Sequence, residues 1–146
     1  MRRIAVFMLA AIISSGLMSV PAVAQGSSTP SFEAAGTDAQ HVEAFLKSLQ
    51  LAVAIDNRLK VASLVDFPMQ AWVGGESVTI RSESDFQARY SRIFDQGLKK
   101  TIASAKLDTL AASQQGVVAG GRICFRPVTE HKNAIRVVAI NGPASK

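Results

Sequence analysis

From Asp38 onward the apolar residues fall into step. Val42, Phe45, Leu46, Leu49 and Val53 recur at three- and four-residue intervals, which lines one face of a helix, and Thr37 or Asp38 can cap its start. Asp56-Asn57 breaks that helix. Leu59, Ala62, Leu64 and Val65 then predict a short second helix ended by Phe67-Pro68, because a residue before proline avoids helical angles. Two short extended runs follow, Met69 to Val73 and Ser77 to Arg81, joined by Gly74-Gly75 as the turn of a hairpin. Ser82 to Asp85 resembles a capping box with aspartate in the glutamate position, and Phe86, Tyr90, Ile93 and Phe94 share the face of a third helix. Asp95 can cap a further short turn that carries Leu98 and Ile102, with Lys99, Lys100 and Lys106 on a solvated side.

The run SQQGVVAGGRICF, residues 113 to 125, raises a choice between a phosphate-cradling loop and a turn. A phosphate loop needs its glycines to lead into a helix N-terminus, and the nucleotide-hydrolase version also ends in Gly-Lys-Ser/Thr. Here the glycines lead into Arg122-Ile123-Cys124-Phe125-Arg126, which alternates polar and apolar, and follow Gln115-Gly116-Val117-Val118, which is also strand-like. A type I′ turn at Gly120-Gly121 would set Ala119 opposite Arg122 and Val118 opposite Ile123. A last strand, Ile135 to Asn141, closes the domain before the tail at 142–146.

The N-terminus has a different pattern. Arg2 and Arg3 precede an apolar run from Ile4 to Ile13, and Ala22-Val23-Ala24 ends the segment, the signature of a secretory signal at 1–24 cleaved between Ala24 and Gln25. A membrane span needs roughly 20 apolar residues, and Ser14, Ser15 and Gly16 cut this run short. Residues 25–37, rich in small and turn-forming types, read as a flexible leader. Export implies a periplasmic or secreted protein with no stable membrane anchor, and residues 38–141 suffice for a single domain.

Composition adds little to this. Without Arg2 and Arg3 the 16 basic residues fall to 14 against 11 acidic ones, a mild net +3 that selects no partner. The basic side chains are scattered without interleaved aromatics, so nucleic-acid binding is not indicated, and membrane binding has no sequence support. Cys124 is the only cysteine, so no internal disulfide can form; between Ile123 and Phe125 it reads as an inert apolar residue.

Helix, helix, hairpin, helix and then three long strands make an α+β chain whose helices can lie in the hollow of a curved antiparallel sheet. The helix pair, FPM, SDFQARYSRIF, QQGVVAGGRICF and IRVVAIN together resemble small secreted bacterial proteins of the nuclear transport factor 2-like superfamily, over roughly residues 40 to 141. That resemblance implies a cone-shaped, SnoaL-like fold with a pocket between sheet and helices. It also implies a large aromatic beside Ile123, where this chain has Cys124.

Enzymes of that superfamily use a buried acid or a His/Asp pair as base, and no stretch of this chain matches those motifs. His41 and His131 read as surface residues, no spacing suits a metal, and no cofactor is implied. Asp85 and Asp95 read as helix caps. The candidate ligand-binding set is Trp72, Tyr90, Phe94 and Arg126: an apolar wall with an indole N–H, a phenol and a guanidinium able to orient a small polar ligand. The resulting expectation is a non-enzymatic domain that binds a small molecule or a protein partner, with its open sheet face available for a homodimer. The alternatives are a small lyase or isomerase with Tyr90 as proton donor, and an interaction protein that neutralises a toxin or supports a secretion assembly.

Overall fold

A computed structural model describes residues 30–143. The signal segment with its cleavage point, the first residues of the leader and the end of the tail lie outside the described residues. Helix α1 (Ala39–Ala54) starts where Asp38 Oδ1 accepts the His41 N–H at 2.9 Å, and it buries Val42, Phe45, Leu46, Leu49, Ala52 and Val53, the expected stripe. It ends in a left-handed residue. Asp56 has φ 56°, and the Asn57 and Asp56 N–H groups close onto Ala52 and Val53 carbonyls as in a Schellman motif, where glycine is the common choice.

Helix α2 (Arg58–Ser63), capped by Asn57, is shorter than the sequence predicts. Strand β1 (Val65–Val73) begins four residues before Met69 and runs through the cis Phe67-Pro68 peptide. Its pairing with the C-terminal strand shifts between Val65 and Gln70, so Pro68 sits in a bulge and its missing N–H leaves no ladder bond unmade. Hairpin partner β2 (Glu76–Ile80) follows the Gly74-Gly75 turn. Helices α3 (Glu83–Ile93) and α4 (Gln96–Ser104) are capped by Ser82 and Asp95, as the sequence predicts. An edge strand that the pattern did not reveal, β3 (Ala111–Ser113), precedes β4 (Gly116–Ala119), β5 (Ile123–Val128) and β6 (Ala134–Ile140).

The six strands form one open sheet in the order β2-β1-β6-β5-β4-β3. It is mixed, not all-antiparallel as expected, because β6 inserts between β5 and β1 and runs parallel to β1. An alternation pattern fixes which face a strand residue takes, but not which neighbour the strand finds. One face, with Met69, Ala71, Val73, Ile80, Val117, Ile123, Phe125 and Val137, is buried with the helices in a single core. Within that core Phe86 meets Phe67, Tyr90 and Phe94 at centroid distances of 5.8 to 5.9 Å, and Phe45 meets Phe125 at 4.9 Å.

Two further expectations are corrected. The described part of the leader is packed, not loose: Phe32 is buried in the core and Glu33–Ala35 forms a turn of 3-10 helix against β3 and β4. The β4–β5 register is also offset by one. Arg122 N–H does bond the Ala119 carbonyl across Gly120-Gly121, but the ladder pairs Ala119 with Ile123 and Val118 with Cys124, leaving Arg122 outside it.

Candidate functional site

The displaced Arg122 is the one charged residue buried among the described positions, at 7 % exposure. Its Nη1 and Nη2 donate to Asp95 Oδ1 and Oδ2 at 3.1 and 3.4 Å, and its Nε donates to the Asn141 carbonyl at 3.1 Å. Asp95 also accepts the Leu98 N–H at 2.8 Å, so one carboxylate caps α4 and ties it to the sheet. The hydrogen bond from Arg122 outweighs desolvation and holds the Asp95 carboxyl below its ordinary range. This fork is structural. The sequence pattern assigned Arg122 to plain strand alternation, and only a bulge next to the turn lets it reach Asp95.

The four candidate ligand residues separate. Tyr90 and Phe94 lie in the core, stacked at 4.8 Å. Trp72 and Arg126 lie on the other face of the sheet, near opposite ends of β6: a Cβ on Gly142 would come within 2.6 Å of the Trp72 ring, whereas Arg126 pairs directly with Arg136. No cleft among the described residues gathers all four.

Two clefts stand out. The first, about 780 Å³, lies where the bulged start of β1, the β3–β4 turn and the end of β5 meet, and Arg126, Gln114 and Glu130 line it. It also holds His131, whose Nε2 is 3.3 Å from Asp66 Oδ1, a pair built from residues 65 positions apart that sequence reading had no means to join. Both members stay partly exposed, at the sheet's end and outside the core.

The second cleft, about 710 Å³, is a groove between α1 and α4. The buried Val53 and Ile102 line it together with the exposed Ala54, Ala103 and Lys100, the partly exposed Lys99 and the Asp56 carboxylate. Gln50 donates to the Ile102 and Ala105 carbonyls at 3.0 and 2.9 Å, which satisfies the end of α4 and fixes the spacing of the two helices. Lys99 Nζ reaches Asp56 Oδ1 at 3.4 Å and Arg58 Nη2 lies 3.8 Å from Asp56 Oδ2, so the left-handed corner residue is held by two cations.

The same corner covers Tyr90. The Arg58 guanidinium sits 4.9 Å over its ring, and its hydroxyl is buried without a hydrogen-bond partner among the described residues. Burial, and after it the charge of the nearby Asp56 carboxylate, push the phenol up to about 12. The carboxylate acts there by proximity, since no hydrogen bond of good geometry joins the two. Tyr90 therefore keeps its proton at any physiological pH, but at 1 % exposure it is shut away from solvent.

Compared with family models, with curated proteins and with solved structures, the chain matches none. Among the described residues no three His, Cys, Asp or Glu side chains cluster as a metal site would require, and no helix is long and apolar enough to cross a membrane. Cys124 is half-buried, and burial pushes its thiol up despite the opposing charge of Arg126, the reverse of what a reactive thiolate needs.

Proposed function

We propose that this chain is an exported cone-type domain, similar in plan to the nuclear transport factor 2-like superfamily, that binds a small amphipathic anion without transforming it. The leader pattern supports export, and two helix pairs that share one core with a bulged six-stranded sheet support the cone. The observation that carries the binding reading is the α1–α4 groove, whose apolar lining suits a short hydrocarbon body and whose Lys100, beside the Asp56-paired Lys99, suits a carboxylate head. Tyr90 supports binding over catalysis, because a buried phenol stacked on Phe94 offers its proton to no substrate in the groove.

Decanoate is a suitable probe. In a titration followed by amide chemical shifts, the expected result is saturable movement of Val53, Ala54, Gly97, Ile102 and Ala103. Lys99→Gln/Lys100→Gln should weaken binding by about 3–10-fold, the worth of a partly solvated charge contact. Shifts confined to residues 126–131, or none at millimolar ligand, would remove the groove from consideration.

A further inference from the structure

Three large apolar side chains stand exposed among the described residues, and all three fall within nine positions of one another. They are Leu51 at 63 %, Ile55 at 62 % and Leu59 at 69 % exposure. Leu51 and Ile55 are one turn apart at the end of α1, and Leu59 follows across the Asp56 corner on α2. Leu59 is a departure from the sequence pattern, which placed it on the buried face of the second helix; α2 instead buries Val61 and Ala62. Apolar side chains left this exposed gain nothing for the fold, since each remains in water.

The charges around these side chains have one dominant sign. Lys47 lies one helical turn before Leu51, Arg58 and Lys60 flank Leu59, and Lys99 stands over Asp56. Against these four cations the corner carries Glu43, bonded to Lys47 at 2.8 Å, and Asp56. Lys60 has no carboxylate within 4 Å among the described residues.

We infer that the Leu51–Ile55–Leu59 corner is a reversible docking surface for an anionic phospholipid bilayer. Short apolar side chains that enter the headgroup boundary, surrounded by lysine and arginine that meet lipid phosphates, are the two ingredients of peripheral membrane attachment. Charge complementarity favours this occupant over a second copy of the chain, because a two-fold contact through the same patch would bring Arg58 and Lys60 of one subunit against their own counterparts. The inference rests on the exposed corner: Leu51, Ile55, Arg58, Leu59 and Lys60 line no part of the groove, and only Asp56 and Lys99 are shared with it.

The test is vesicle flotation with the processed protein, beginning at Gln25, as recovered from the periplasm of an expressing bacterium. Vesicles of phosphatidylglycerol and phosphatidylethanolamine are compared with pure phosphatidylcholine. The expected result is co-flotation with the anionic vesicles only, weakened by 0.5 M salt on the order of the screening length falling well below 10 Å. Leu51→Ser/Leu59→Ser and, separately, Lys60→Glu should each lower partitioning by about tenfold or more, while Leu51→Met/Leu59→Met retains it. Unchanged circular dichroism and decanoate-induced shifts in these variants show that the fold and the groove survive. The inference is overturned by equal binding to neutral vesicles, by no flotation of the parent protein, by serine variants that float as before, or by a concentration-dependent dimer that the serine variants dissolve.

Discussion

Phe86→Ala is expected to lower the unfolding free energy by about 3–5 kcal/mol, the usual range for emptying a fully enclosed aromatic site. Phe86 has no exposed surface, and it is the ring on which Phe67 from β1, Tyr90 from α3 and Phe94 from the end of α3 converge. Its removal therefore opens a cavity where sheet and helix meet, and the neighbouring rings are too constrained by their own contacts to fill it. A loss of this size is a large part of the roughly 5–15 kcal/mol that holds a domain of this length together, so urea unfolding should show a much lower midpoint or no folded baseline. Phe86→Leu, which keeps much of the volume, should lose less than about 2 kcal/mol and remain folded. A loss below about 1 kcal/mol for the alanine variant would mean that α3 does not pack against the sheet through this cluster.

Asp95→Ala should cost about 2–4 kcal/mol, from two sources that one side chain serves. The cap on α4 is worth about 1 kcal/mol, and the rest comes from leaving the Arg122 guanidinium buried without its carboxylate, reduced because Asp95 itself is half-exposed and water can reach the gap. Arg122→Met removes the stranded charge together with its partner's role, so the double variant should be more stable than the sum of the two single losses implies. Acid unfolding gives an independent reading. The folded-state pKa of Asp95 lies below its ordinary value of 3.8, so its contribution is present above that value and is lost as pH falls through the lower folded one. Asp38 and Asp85 are depressed in the same direction, by hydrogen bonds from His41 and Arg89, Asp38 in an exposed position and Asp85 in a partly exposed one. Stability should consequently hold down to about pH 4 and fall below it, and Asp95→Ala should show a shallower fall in that range. If the variant loses under 1 kcal/mol and keeps the parent's acid profile, the fork does not tie α4 to the sheet.

These two sites differ in how far the sequence reveals them. Phe86, Tyr90 and Phe94 follow from helical spacing, and Asp38, Ser82 and Asp95 follow from cap chemistry, because both signals are local and are decided by near neighbours, whereas the Phe67 contact from β1 does not. Arg122 follows from neither. Polar-apolar alternation treats it like Arg126, and only the one-residue offset after Gly120-Gly121 takes it out of the ladder and toward a carboxylate 27 positions away. The parallel pairing of β1 with β6 was hidden for the same reason, since both strands display their faces but not their partners. Phe32 shows a converse failure: a run of small and turn-forming residues around it reads as loose chain, yet one aromatic suffices to anchor it in the core.

The candidate site was still less legible. Tyr90 and Phe94 were correctly placed together on one helical face, but that face is the buried one, and Trp72 and Arg126 lie on the far side of the sheet. The groove depends on how far apart α1 and α4 sit, which Gln50 sets through two carbonyls more than fifty residues away, and no periodicity reports such a distance. Lys99 and Lys100 read from sequence as a solvated face, and they are partly that; their position above Val53 and Ile102 is what gives them a use.

The most direct test of the central claim is a crystal structure of the protein purified from its own host without detergent or added ligand, paired with native mass spectrometry of the same sample. The account predicts a retained small molecule seen as extra mass and as density between α1 and α4, its polar end toward Lys99 and Lys100. Apo mass with an empty groove, or a molecule held instead at the Asp66–His131 cleft, would contradict it.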